Sequence, residues 1–291
     1  AGKVALIDTE TFEVVDDVDA GEEPIRATLQ NDERYLWVGN NAETADKSGV
    51  TVIDAADFEP VGFVATGKGH HEIAFSDDDR YAFVSNRDDG TVTVIDVQSL
   101  EKVKELKTGE VPISLAFSPL GKALYVADGK TGTITVVDAD KLEIRTRIEA
   151  KPGLGPMRFS QDGRWGMTVN PVDHHVYVFD ASTDKLVHTV QVGTQPYQVS
   201  FTRSFAYIRS LGTPAVGLIP VSAPAAPTPP AVSDIPAAQR PPGAAADISI
   251  ADSIVPSVKQ AASYMVNQAE GTVHYDMEGM GAPMGAFRNY G

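Results

Sequence analysis

Alternation of apolar and polar positions dominates the chain. Residues 90–96, GTVTVID, place an apolar β-branched side chain at every second position, and residues 132–138, GTITVVD, repeat the arrangement 42 positions later. A period of two marks a half-buried β-strand. Further copies read GKVALID (2–8), SGVTVID (48–54) and HHVYVFD (174–180), with decayed versions at 215–221 and 271–277. Their terminal aspartates, Asp8, Asp54, Asp96, Asp138 and Asp180, lie 46, 42, 42 and 42 residues apart. An aspartate at the end of a strand is expected to accept hydrogen bonds from the backbone amides of the turn that follows.

A second phrase travels with the first. It reads DERYLWVGN (32–40), DDRYAFVSN (78–86), LGKALYVAD (120–128) and DGRWGMTVN (162–170), with weaker copies at 202–210 and 260–268. Its polar end falls at Asn40, Asn86, Asp128 and Asn170. A Gly and Pro pair precedes each unit, as GEEPI, GEVPI, GLGPM and GTQPY, and His70 takes the Pro position in the second unit. Turn signals such as SPLGK, SQDGR and RDDGT separate the strands. The one helix-like stretch, 252–264, is interrupted by Pro256.

Four short strands every forty-odd residues predict a blade of a β-propeller. One blade cannot bury both of its faces, whereas a ring of blades can. The fold class is therefore all-β, a single propeller domain over residues 1–291 built of four-stranded blades. Seven copies of 42 residues would need 294, close to the 291 present, so seven blades is the favoured count and six the alternative. The first copy supplies only its last two strands, and little after Val273 reads as a fourth. Either the chain is cut from a larger protein, incomplete at one or both ends, or its two ends combine in one blade. Residues 220–247 hold 8 of the 19 prolines. Proline has no N–H to give a sheet, so the Pro- and Ala-rich stretch 221–247 is expected to run over the surface as an insertion.

Composition narrows the function. The absence of cysteine excludes disulfides, thiolate metal sites, cysteine nucleophiles and a covalent C-x-x-C-H haem. It suits a periplasmic or extracellular protein. A net charge of −16 argues against a nucleic-acid partner, whose phosphates it would repel, and suits solubility or docking of a cationic partner. No apolar run reaches the roughly 18 residues of a membrane helix, so no membrane insertion is expected. G-x-G-x-x-G, P-loop, G-x-S-x-G and H-E-x-x-H motifs are all missing.

Two units, RYAFVSNRDDGTVTVIDVQSLEKVKELKTGEVP and GKALYVADGKTGTITVVDADKLEIRTRIEAKPG, resemble the YVTN-type β-propeller repeats of bacterial and archaeal secreted proteins. They are also similar to the propeller domain of cytochrome-type nitrite reductases, which carries a d-type haem on its axis. The resemblance covers 2–210 well and 256–277 weakly. It implies a seven-bladed ring and export across the inner membrane, and it supplies no catalytic motif. Propellers host many unrelated activities.

Candidate chemistry gathers where the units begin. Aligned on the Gly and Pro pair, the inner strands start with Arg26, Glu72, Ser114, Arg158 and Gln198, which should line an axial mouth. Two arginines there could clamp an anionic group; a ring of charge pairs, Arg26–Glu72 or Arg158–Glu72, is the alternative. His71 stands where other units have Ile25, Ile113, Met157 and Tyr197, and imidazole suits a metal or haem iron. Its neighbour His70 is a weaker candidate. The pair His174–His175 should open on the same face further out, while His188 and His274 sit in ordinary strand positions. Met277, Met280 and Met284, in the Met-rich segment 277–291, offer thioethers for Cu(I). Two readings follow. In the first, an exported, non-enzymatic propeller needs no cofactor and binds a partner protein or small anion at its axial face. In the second, a periplasmic redox or haem-handling protein carries a d-type haem or copper on the axis.

Overall fold

The computed structural model describes residues 2–69, 71–214 and 216–221, with the backbone of Thr272–Val273. Five four-stranded antiparallel sheets follow one another in chain order. Blade 1 holds β3 (Pro24–Leu29), β4 (Tyr35–Asn40), β5 (Gly49–Asp54) and β6 (Pro60–Ala65). Blade 2 holds β7 (Ile73–Phe75), β8 (Tyr81–Asn86), β9 (Thr91–Asp96) and β10 (Glu101–Lys107). Blade 3 holds β11 (Pro112–Ser118), β12 (Ala123–Asp128), β13 (Thr133–Asp138) and β14 (Glu143–Glu149). Blade 4 holds β15 (Met157–Phe159), β16 (Trp165–Asn170), β17 (His175–Asp180) and β18 (Lys185–Gln191). Blade 5 holds β19 (Pro196–Phe201), β20 (Phe205–Ser210), β21 (Val216–Pro220) and β22 (Thr272–Val273). A half-blade of β1 (Gly2–Ile7) and β2 (Val14–Gly21) precedes them. No described residue is helical, and no helix among them is long and apolar enough to cross a membrane.

Each blade is held by its neighbours. Trp37, Val50 and Val52 of blade 1 pack on Ile73, Phe75 and Val84 of blade 2. Phe83, Val92 and Val94 of blade 2 pack on Leu115, Leu124 and Val126 of blade 3. Tyr125, Ile134 and Val136 of blade 3 pack on Met157, Tyr177 and Phe179 of blade 4. Met167 and Val178 of blade 4 meet Val199 and Ile208 of blade 5. Phe83 and Val84 are adjacent in one strand and serve opposite interfaces, because neighbouring residues of a strand point to opposite faces. Full burial of a side chain such as Phe83 contributes about 1.5–3 kcal/mol. The inner strands β7, β11, β15 and β19 touch in order around the axis. The outer strand β10, EKVKELK, is almost entirely exposed, and such charge discourages pairing at a sheet edge.

The expectation of half-buried strands needs correction. Thr51, Thr93 and Thr135, the polar positions of the repeated phrase, are buried as deeply as their apolar neighbours. Their hydroxyls are satisfied internally: Thr51 donates to the Ala20 carbonyl and Thr135 to that of Thr108, while Thr93 accepts from the Asn86 amide. The decayed copy at 271–277 also differs from its assignment. Thr272–Val273 pair with β21 as the outermost strand of blade 5, where the free edge of β21 needs a partner. Val221 packs in the core between blades 4 and 5; the rest of the insertion, 222–247, lies outside the described residues.

The terminal aspartates behave as expected. Oδ1 of Asp96 accepts the backbone N–H groups of Gln98 and Ser99 at 3.1 and 3.0 Å, and Asp8, Asp54 and Asp138 each take two turn amides in the same way. The turn closes at a residue with left-handed backbone, Phe12, Phe58, Leu100, Leu142 or Asp184, with φ between 53° and 60°. Substituting Asp96→Ala should lower the unfolding free energy by about 1–2 kcal/mol, read from the midpoint of urea unfolding. Asp96→Asn, which keeps the acceptor oxygen, should recover most of the loss; equal destabilisation by both would refute the role.

Candidate functional site

The inner strands converge on an axial cavity of about 420 Å³ lined from blades 1 to 4, with Arg26, Glu72 and Arg158 among its walls. An Arg26–Glu72 ion pair at 2.5 Å spans blades 1 and 2, with the Glu72 side chain 12% exposed. This is one of the two charge pairs the sequence allowed. The three charges sum to +1 within a chain of −16. The channel walls desolvate the Arg158 guanidinium enough to draw it below the usual arginine range although the residue stays exposed to solvent; the Arg26 charge adds to that effect and Glu72 opposes it. Nη1 of Arg158 donates to the Met157 carbonyl at 2.7 Å, and Arg158 forms no ion pair among the described residues.

Arg158 does not stand level with Arg26. Arg26 lies opposite Gly39, one residue before Asn40, and Ser114 and Gln198 hold the same register in their blades. Arg158 lies opposite Met167, three residues before Asn170. It is therefore level with Thr28, Ala74 and Ala116, which lie opposite Trp37, Phe83 and Tyr125. The cause is length. Eight residues separate Gly109 from Phe117, but only six separate Gly153 from Phe159. Unit four therefore lacks the bulge that β3, β11 and β19 carry near their proline. Met157 accordingly fills the core site of Leu115 and Ile73 rather than the site of His71, and Arg158 enters the channel one pleat deeper than Arg26.

His71 is fully buried and does not face the cavity as a ligand, contrary to the expectation for a metal or haem site. Its Nδ1 lies 2.7 Å from the Ser85 carbonyl oxygen and its Nε2 lies 3.1 Å from Ser48 Oγ. A carbonyl can only accept, so Nδ1 carries a proton, while Nε2 pairs with the Ser48 hydroxyl, which also reaches the Asn40 carbonyl at 3.4 Å. Gly39 makes the room: a Cβ there would sit 3.0 Å from the His71 Cβ. The Gly39–His71 pairing is the signal that sequence reading missed, since other units carry Ser85, Ala127 or Val169 before the polar end of their second strand.

The remaining candidates fall in different places. Ser114 is buried and its Oγ accepts the Met157 N–H at 3.0 Å, tying blade 3 to blade 4. Gln198 is exposed and is not among the residues lining the cavity. His174 Nδ1 accepts the Gln195 N–H at 3.1 Å, on the face where β19 begins. His175 Nδ1 lies 2.6 Å from the Asp173 carbonyl. His70, His274, Met277, Met280 and Met284 lie outside the described residues. Among the described residues no group of three or more histidines and carboxylates is placed to hold a metal ion.

A profile of the cytochrome D1 heme domain family matches residues 42–158, a span holding His71, Glu72 and Arg158 but not Arg26. Fold and family match together define the class: a β-propeller, of which residues 42–158 are similar to the cytochrome D1 heme domain. Two solved structures share this architecture. Hydrazine synthase of Kuenenia stuttgartiensis aligns with a TM-score of 0.58 at 24% identity, covering 65% of this chain and 55% of that one. The dihydro-heme d1 dehydrogenase NirN, solved in complex with DHE, aligns with a TM-score of 0.63 at 16% identity, covering 75% and 49%. At these identities the likeness is one of fold, and this chain spans about half the length of both. Comparison with curated proteins yields no match.

His71 and Arg158 predict contrasting responses. His71→Ala leaves a cavity and two unpaired polar groups, and should destabilise by about 2–4 kcal/mol. Arg158→Met removes an exposed guanidinium that forms no ion pair among the described residues, so stability should change by less than about 0.5 kcal/mol. Chemical denaturation of both variants checks this; a loss above about 1 kcal/mol for Arg158→Met would make Arg158 a structural residue.

Proposed function

We propose that this chain is an exported haem-handling propeller whose axial mouth holds the carboxylate-bearing edge of a tetrapyrrole of the d-type haem class. The observation that carries the reading is Arg158, an arginine deep in the channel beside Arg26 and with no acid of its own. A guanidinium fork suits a carboxylate in two-point contact, and the low-dielectric wall strengthens it. The family match over residues 42–158 and the cysteine-free sequence support the ligand class and the exported setting.

The residues fit such a group at its periphery and not at its metal. Arg158 and Arg26 would take carboxylates, with Glu72 holding Arg26 in place. No imidazole among the described residues faces the cavity, and both nitrogens of His71 are engaged. The chemistry of bound iron therefore has no assigned ligand here, and the part these residues play is capture and orientation of an anionic ring. A small anion held by the same arginines is the simpler form of this reading.

Titration of the purified chain with protoporphyrin IX, its iron form and its dimethyl ester, followed by absorbance and fluorescence quenching, tests the proposal. The metal-free and iron forms should bind alike, and the ester should fail. Arg158→Ala should weaken binding by roughly 10- to 150-fold, the equivalent of about 1.5–3 kcal/mol for a charged hydrogen bond. Equal binding of acid and ester, or no effect of Arg158→Ala, would overturn it.

A further inference from the structure

A second cleft, of about 600 Å³, lies between blades 1 and 2, separated from the axial cavity by the turn between β3 and β4, whose Asn31 lines the cavity and whose Gln30 and Asp32 line the cleft. Three turns wall it: that between β3 and β4, that between β7 and β8, and that between β9 and β10. Its size falls within the roughly 300–1,000 Å³ of small-ligand sites.

Its floor holds an unused donor. Gln30 is only 3% exposed. Its Oε1 accepts the indole N–H of Trp37 at 3.3 Å. Its amide nitrogen donates to nothing among the described residues, although the residue lines the cleft. That nitrogen is not among the side-chain atoms sealed from solvent without a partner, so it is reached through the cleft, where a ligand could accept from it.

The walls alternate donors and acceptors. The Arg34 guanidinium lies over the Tyr35 ring at 4.7 Å and that of Arg80 over the Tyr81 ring at 4.8 Å. Stacking fixes both side chains, and among the described residues neither forms an ion pair, so their N–H edges remain available. Asp32, Asp79 and Asp96 each engage Oδ1 with groups of the turns: the Arg34 N–H, Asn31, and the Gln98 and Ser99 N–H groups respectively. The Oδ2 atoms of Asp32 and Asp96 have no hydrogen-bond partner among the described residues, while the Asp79 carboxyl also accepts the Asp32 N–H. Burial pushes the Asp79 carboxyl above its usual range, and the Asp32 charge adds to this.

This mosaic selects its ligand by elimination. A simple anion would meet four carboxylates, Asp32, Asp78, Asp79 and Asp96, and a simple cation, although favoured by the lining's net charge of −2, would leave the guanidinium edges and the Gln30 amide unpaired. A hydroxyl group donates and accepts at once, so a run of hydroxyls can satisfy the Gln30 amide, the guanidinium edges and the Oδ2 atoms together. We propose that this cleft binds a neutral polyhydroxylated ligand the size of one or two sugar units, at a site separate from the axial mouth.

Saturation-transfer NMR on the full chain with maltose, trehalose and cellobiose, each alone, tests this, with spermidine and citrate as charged probes. At least one sugar should receive transfer. Arg80→Ala and Arg34→Ala, exposed changes whose folding is checked by thermal melting, should each weaken it at least tenfold, and Arg158→Ala should leave it unchanged. Transfer to none of the sugars, binding of spermidine or citrate alone, or sugar binding indifferent to both arginines would overturn the proposal.

Discussion

The middle strands of blades 1 to 4 are apolar on both faces, and neither face can be left in water. That constraint explains most of the architecture. Phe83 and Val84, side by side in β8, must each find a neighbouring blade, so a blade is stable only between two others. The same demand explains why the polar positions of the repeated phrase are threonine: a β-branched residue packs as valine does, and its hydroxyl reaches a carbonyl at the preceding sheet, for Thr51 and Thr135, or an amide of its own blade, for Thr93. Asn40, Asn86, Asp128 and Asn170 end the second strands for a related reason. The Asp128 carboxylate accepts the N–H groups of Val111, Lys130 and Thr131, closing a turn that could not otherwise be buried.

Packing between blades also makes the site. The inner strands are the narrowest part of the arc, and their axis-facing side chains are released from the apolar rule that governs the rest of each blade. Thr28, Ala74 and Ala116 are small, and their smallness leaves the cavity into which the longer Arg158 extends. The pair Arg26–Glu72 then crosses from one blade to the next, so the mouth is itself an inter-blade contact. His71 shows the opposite outcome at nearly the same level: given space by Gly39, it turned into the interface and became part of the packing.

Much of the fold was legible because the chain repeats its solution. The phrase ending in Asp96 located the third strand of each unit and the turn after it, and its recurrence gave the blade. The site was less legible, because a side chain's level on the axis depends on a register that length alone controls. Two residues missing between Gly153 and Phe159 moved Arg158 by a full pleat, and alignment on the proline concealed it; alignment on Phe75, Phe117 and Phe159 would have shown it. The burial of His71 depended on a glycine in another blade, a contact across sequence that no single unit displays. The cleft at Gln30 was invisible for the same reason, since its walls come from three turns of two blades.

The central claim is that a channel arginine, and not a histidine, captures the anionic ligand. A crystal structure of the chain with protoporphyrin IX tests it most directly. The account predicts a ring at the axial mouth with a carboxylate within hydrogen-bond distance of the Arg158 guanidinium, and His71 still bonded to Ser48 and Ser85. A ring seated elsewhere, or His71 swung out of the blade interface to meet the ring, would contradict it.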